Sequence, residues 1–214
     1  MRPSTADDVL DLMDVSFHSA ALGAALELGL FWLLDEQCLD AEEVARELTI
    51  PLKRCHYWLQ LLGRVGLIED GPQGYEPSTT ARTAILEAYS RETWKLLAEE
   101  ARDRLPGLCD LSTCLREPGS AWDTLGLTPR MYVAEMKEDP DIAGRFTRML
   151  NEIHRPLAEE LAGFLDLSGT ERIMDLGGGS GVVSLALLRR HPELNATVVD
   201  ITNVCNAGRE IAAE

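Results

Sequence analysis

A chain of 214 residues that is 45% hydrophobic and 26% charged has an ordinary globular composition, enough for one large core or two small ones. Its formal net charge of -16 argues against nucleic acid as a partner, because affinity for phosphates comes largely from clustered Lys and Arg releasing counterions. The cysteines Cys38, Cys55, Cys109, Cys114 and Cys205 show neither CxxC nor Cys/His ligand spacing, so no disulfide framework and no metal site is expected.

No basic segment with a small-residue cleavage site follows Met1, and the longest apolar stretch, Ser19 to Leu34, is broken by Glu27 and falls short of the ~20 residues a bilayer span needs. The expectation is a soluble, cytoplasmic protein with reduced thiols and no membrane partner. Along the chain, Leu10, Met13, Phe17, Ala20, Ala21, Ala24 and Leu28 recur at three- and four-residue spacing, the stripe of a helix beginning near Ser4 to Asp8. From Ala20 to Leu34 the apolar residues spread round most of the helix. Such a helix is buried on several sides, either as a central core helix or against a second subunit.

Asp40 followed by Glu43 reads as a capping box opening a short helix with Val44, Ala45 and Leu48 inward. After Thr49-Ile50-Pro51, a second helix runs from about Leu52 to Val65 with Cys55, Trp58, Leu59 and Leu62 inward, and Gly66 ends it. Leu67 to Glu69, a turn over Asp70 to Gly74, and Tyr75 to Pro77 form a short hairpin, so the segment looks like a winged helix-turn-helix. A DNA-binding reading needs a basic second helix, but Lys53, Arg54 and Arg64 are outweighed by Asp40, Glu42, Glu43, Glu47, Glu69 and Asp70. Helical patterns continue over Arg91 to Arg104, then, after a connection from Pro106 to Gly119, over Pro129 to Lys137 and Ile142 to Leu165. Trp122, Met131, Met136, Phe146 and Met149 are assigned to packing, and His56 and His154 to ordinary helix positions.

The pattern changes at Arg172. Ile173 to Leu176 is a short apolar strand, Gly177 to Gly181 a glycine loop, Val182 to Arg190 an amphipathic helix, and Ala196 to Val199 a second strand ended by Asp200. This β-α-β unit has the physics of a nucleotide cleft, in which glycines admit a ligand to the backbone and the helix start offers free amides. Dinucleotide enzymes prefer G-x-G-x-x-G; here Val182 stands at the sixth position and the spacing is G-x-G-x-G. Asp175 suits a ligand with an ammonium group better than a pyrophosphate. Asp200, about 20 residues past the loop, sits where a carboxylate can hold a ribose diol. It is expected to face an open cleft with few protein partners.

The run Asp175-Leu-Gly-Gly-Gly-Ser-Gly181 followed by Val199-Asp-Ile201 resembles the donor-binding motifs of class I S-adenosylmethionine-dependent methyltransferases. The helical region ahead of it is similar to the small-molecule O-methyltransferases that act on plant phenolics and bacterial polyketide or tetrapyrrole intermediates. The resemblance implies a mainly α N-terminal domain with a winged helix-turn-helix (residues 1–105), a helical linker region (106–168) and the start of an α/β Rossmann-like domain (169–214), apparently truncated. It implies S-adenosylmethionine as cofactor, with Gly177, Gly178, Gly179 and Gly181 forming the donor loop and Gly177 and Gly179 against its methionine part. By the same resemblance Asp175 lies near the ammonium group, Asp200 on the ribose hydroxyls and Ile201 against adenine. A small-molecule acceptor and an intertwined homodimer also follow, which tilts the Ala20 to Leu34 question toward an interface. The family's catalytic histidine has no counterpart before Glu214, so the expectation is a piece of a longer enzyme whose catalytic base lies elsewhere. A noncatalytic dimerisation module and a winged-helix regulator stay open as alternatives.

Overall fold

The computed structural model describes residues 3–116, 118–119 and 132–214. They fall into two compact units, Met1–Leu108 and Cys109–Glu214.

In the first unit, helix α1 (Ala6–Leu28) opens with a capping box: the Asp8 amide donates to Thr5 Oγ1 at 3.1 Å and the Thr5 amide donates to Asp8 Oδ2 at 2.9 Å. The continuous helix expected through Leu34 is instead interrupted at Gly29, which takes the left-handed conformation (φ 76°) and separates α1 from α2 (Leu30–Glu36). A side chain at 29 would also run into the Arg91 guanidinium, which lies 5.6 Å from the Trp32 ring. The break redistributes the apolar girth. Ala21, Ala25 and Leu26 of α1 and Leu30, Phe31 and Leu34 of α2 all enter one core, together with Val44, Cys55, Leu59, Leu62, Ile68 and Ile85. Most of the apolar residues from Ala21 to Leu34 are therefore covered inside their own unit, with Leu28 44% exposed, and the larger open apolar surface lies earlier, where Met13 is 71% and Phe17 64% exposed.

With 23 residues and a mean hydropathy of 1.3 in its most apolar window, α1 has the length and composition of a membrane span. The sequence reading took the uncharged run alone, whereas this apolar stretch includes Asp11 and Asp14. Its second half is a core helix: the Trp58 indole donates to the Ala21 carbonyl at 2.9 Å.

Helix α3 (Ala41–Glu47) carries the anticipated box, with Glu43 N–H donating to Asp40 Oδ1 at 2.8 Å and Asp40 N–H to Glu43 Oε2 at 2.9 Å. Helix α4 (Leu52–Arg64) buries Cys55, Leu59 and Leu62 on one face. Strands β1 (Ile68–Gly71) and β2 (Gly74–Pro77) pair antiparallel with Gly71 opposite Gly74, so only Pro72 and Gln73 turn the chain, a tighter hairpin than expected. A short helix α5 (Thr79–Ala81), capped by Ser78, runs into a π-helical turn (Arg82–Leu86). Helix α6 (Arg91–Cys109) then passes the expected stop at Arg104 and is followed by α7 (Leu111–Cys114).

In the second unit, α8 (Tyr132–Glu138) leads to α9 (Pro140–Phe164). Pro140 supplies the preset first helical position, and Asp139 Oδ1 accepts from the amides of Asp141 (2.8 Å) and Ile142 (3.1 Å). This helix lies within the segment anticipated as a helical linker region and matches the helix expected over Ile142 to Leu165, beginning instead at Pro140. Two parallel strands, β3 (Arg172–Leu176) and β4 (Asn195–Val199), pair with Asp175 opposite Val198 and are joined through α10 (Val182–Arg190); α11 (Thr202–Ala213) follows. Ala158 and Ala162 of α9 pack on Ala186 and Leu187 of α10, small residues that let the two helices approach closely. Met136, Ala143 and Val204 form a second cluster with Phe146 against it, and Met149 is buried, so these three sequence-assigned packing residues sit in packing. Trp122, Met131 and the helix start at Pro129 lie outside the described residues. The opposite face of the sheet is bare, with Met174 66% and Leu176 73% exposed.

Candidate functional site

The glycine loop starts where β3 ends, at the carboxyl edge of the two parallel strands, which is where open α/β sheets take up ligands. Its first amide prolongs the ladder, Gly177 N–H donating to the Val199 carbonyl at 2.8 Å, and Gly181 N–H closes the turn onto the Gly178 carbonyl at 2.8 Å. Gly181 then begins α10 without any side-chain cap, so the amides of the first helical turn keep no side-chain acceptor.

The loop glycines divide by what a side chain would meet. At Gly177 (φ +69°) and Gly179 (φ +58°) the backbone is left-handed and the space is open for 4 Å around the missing Cβ. At Gly178 a Cβ would fall 2.5 to 2.8 Å from the Asp175 carboxyl group, and at Gly181 it would stand 3.3 Å from a Val198 methyl. Gly178 and Gly181 thus permit the loop to fold on its own neighbours, whereas Gly177 and Gly179 leave an open cradle of bare backbone.

The two acids bracket this cradle. Half-buried Asp175 accepts a hydrogen bond through Oδ2 from the hydroxyl of buried Ser184 at 2.9 Å. Asp200 accepts from Gly179 N–H through Oδ2 at 2.8 Å and from Ile201 N–H through Oδ1 at 2.7 Å. The expectation of a nearly partnerless Asp200 is corrected here, since each oxygen already binds a backbone amide. Each keeps a further lone pair for a ligand hydroxyl. Ile201 starts α11 and packs in part against Met136, Ala143 and Val204.

Four residues of this site escaped the sequence reading: Asn151, Ser180, Ser184 and Gly208. Ser180, itself 7% exposed, donates its hydroxyl to Oδ1 of Asn151 on α9, also 7% exposed, at 3.0 Å. Gly208 lets α11 rest on the loop, since a Cβ there would stand 3.2 Å from the Gly179 and Ser180 carbonyl oxygens. Ser184 locks Asp175. A polar Asn inside an apolar helix face and a glycine inside a helix were the available signals. A cavity of about 400 Å³ runs along β4 between Leu185 and Leu188 of α10 and Cys205 and Arg209 of α11. Neither acid nor Gly177 lines it, so the cradle at the strand ends, where the loop and acids converge, is the candidate site. Among the described residues, no group of three His, Cys, Asp or Glu side chains is placed to hold a metal.

Residues 110–214 match the O-methyltransferase domain family. Over 204 residues the chain is 30% identical to the 3-hydroxy-5-methyl-1-naphthoate 3-O-methyltransferase of Streptomyces sahachiroi, covering 95% of this chain and 58% of that protein. It is 29% identical over 211 residues to the N,N-dimethyltransferase OxyT of Streptomyces rimosus, covering 98% and 60% respectively. The solved structure of PigF with SAH has the same fold over 98% of this chain and 63% of that one, with a TM-score of 0.80 at 22% identity. The chain thus spans about three fifths of the length of the curated relatives it matches.

Proposed function

We propose that this chain, which belongs to the O-methyltransferase family, is the donor-binding part of an enzyme that methylates a hydroxyl of a small aromatic, polyketide or tetrapyrrole-type acceptor with S-adenosylmethionine. The observation that carries the reading is the cradle itself: open left-handed glycines at 177 and 179 flanked by Asp175 and Asp200 at the ends of parallel strands. When bound, the sulfonium donor supplies an activated methyl group.

The chain's residues hold and orient it. Gly177 and Gly179 present bare backbone to the methionine part, Asp175 draws the ammonium group, Asp200 accepts from the ribose hydroxyls, and Ile201 offers an apolar edge to adenine. Gly178 and Gly181 allow the loop the shape this needs. Fixing the donor against an acceptor replaces a bimolecular encounter by a positioned one, with a gain on the order of 7–11 kcal/mol available when the reacting atoms are well aligned. The base that removes the acceptor proton belongs to the intact enzyme outside this chain. The exposed sheet face of Met174 and Leu176 and the greater length of the relatives support that placement.

The first unit serves assembly. Helices α3 and α4 with the β1–β2 hairpin make a winged helix-turn-helix whose acidic surface takes no DNA. The exposed stripe of Leu10, Met13 and Phe17 buries against a second copy in a homodimer. The protein works in the cytoplasm, with no membrane partner.

Calorimetry of the chain with S-adenosylmethionine, S-adenosylhomocysteine and duplex DNA tests the reading: binding of the first two and not the third is expected, and failure of both sulfur ligands to bind overturns it. Sedimentation should give a dimer for the wild type and a monomer for Phe17→Glu. A second acceptor class is favoured by one observation, the N,N-dimethyltransferase among the relatives. Transfer to an amine in place of a hydroxyl, in acceptor assays of the intact enzyme, would decide for it.

A further inference from the structure

We infer that Asn151 is a positioning residue for the donor site, acting on Asp200 through Ser180 and Gly179; the inference rests on the donor-binding reading above. The route is short and polar. Asn151 Oδ1 accepts the Ser180 hydroxyl at 3.0 Å, the neighbouring Gly179 amide donates to Asp200 Oδ2 at 2.8 Å, and the Ile201 amide donates to Asp200 Oδ1 at 2.7 Å. Asn151 and Ser180 are each only 7% exposed, where a hydrogen bond holds its geometry with little competition from water.

The loop needs such a hold. Gly177, Gly179 and Gly181 all have positive φ, and the backbone flexibility that lets the loop form also makes it costly to order. Ser180 lies between Gly179, whose amide fixes Asp200, and Gly181, which starts α10. From the other side Gly208 brings α11 against the carbonyls of Gly179 and Ser180. A helix behind the loop and a helix beneath it thus grip the same residues. Asn151 supplies the directional contact among them, setting the carboxylate that receives the ribose before any ligand arrives.

Ser180→Ala removes one oxygen and serves as the least disruptive variant. Its affinity for S-adenosylhomocysteine by calorimetry should fall roughly 5- to 20-fold, the effect of losing one buried hydrogen bond on the ordering of the site, and Asn151→Ala should match it. In an Asp200→Ala background, Ser180→Ala should cost little further affinity, because the route ends at that carboxylate. Amide exchange of the ligand-free chain gives an independent reading, in which the Gly179 amide should exchange faster in both variants than in the wild type. Unchanged affinity and unchanged Gly179 exchange, even with a lowered melting temperature, would make the Asn151–Ser180 bond a structural peg and overturn the inference. Full additivity with Asp200→Ala would overturn the proposed route. Wild-type protein that binds no ligand would bring down the donor-site reading itself, an outcome distinct from equal binding by wild type and variants.

Discussion

The two units bury their apolar residues in different ways. In the first, helices α1 to α6, strand β1 and the π-helical turn all contribute to a single core that holds Phe31 and Leu30, so the helix break at Gly29 becomes a means of turning apolar residues inward from two directions. In the second, the buried clusters are small and rich in alanine, drawn chiefly from α8, α9, α10 and α11, beside a two-stranded sheet whose other side shows Met174 and Leu176 to solvent. The first unit closes on one large core. The second closes on smaller clusters, and the Asn151–Ser180, Ser184–Asp175 and Gly179–Asp200 hydrogen bonds are the contacts that shape its site.

The contrast can be broken most forcefully at Phe31. Truncation to Ala in a fully enclosed position should destabilise the first unit by about 3–5 kcal/mol, measured by urea unfolding followed through the fluorescence of Trp32 and Trp58. A loss below about 1 kcal/mol would mean that the core is far looser than its burial indicates.

In the second unit the corresponding change is Asp200→Ala. Loss of charge-assisted bonds to the ribose is expected to weaken S-adenosylhomocysteine binding roughly 10- to 150-fold, and because two backbone amides lose their acceptor, the loop should also loosen. Calorimetry paired with amide exchange at Gly179 and Ile201 separates the effects. Equal affinity in wild type and variant would remove Asp200 from the ligand site and leave it as a loop clamp.

A smaller effect belongs to the first turn of α1. The Ser4 amide, followed by the Ser4 hydroxyl and the amide and hydroxyl of Thr5, holds the Asp8 carboxyl down at about 2. Because this folded value lies below the ordinary 3.8, the cap's stabilisation is complete above pH 3.8 and disappears as pH falls through about 2. The helical circular-dichroism difference between wild type and Asp8→Ala should therefore be present at pH 5 and vanish near pH 1.5. A difference that persisted at the lower pH would show that the carboxylate is not the capping group.

The smallest change is expected at Leu176→Ala, on the bare side of the sheet. In this chain it should shift stability by no more than about 0.5 kcal/mol, whereas Leu187→Ala, the same truncation on the covered side, should cost about 2–5 kcal/mol. Similar losses at both positions in thermal unfolding would mean that the sheet face is covered in solution, and would sharpen the search for what covers it.

By itself the sequence determined the local elements and the kind of site. The capping residues Asp40 and Glu43, the spacing of Cys55, Leu59 and Leu62, and the strand, glycine loop, helix and strand from Arg172 to Asp200 are short-range patterns governed by hydrogen bonding and periodicity within a few turns. Tertiary structure decided which apolar residues are used up and which polar ones cooperate. The girth of Ala20 to Leu34 could equally have suited a core or an interface, because periodicity records that a face is apolar and not what covers it; only the fold shows most of it enclosed while Leu28, Met13 and Phe17 are left open. Asp200 read as a carboxylate awaiting a ligand, yet the loop, 21 residues earlier, returns to donate to it, and Asn151 reaches Ser180 across 29 residues of chain. Such contacts depend on how α9, α10 and α11 pack about the loop, and packing is a property of the assembled surfaces that no single stretch of sequence carries.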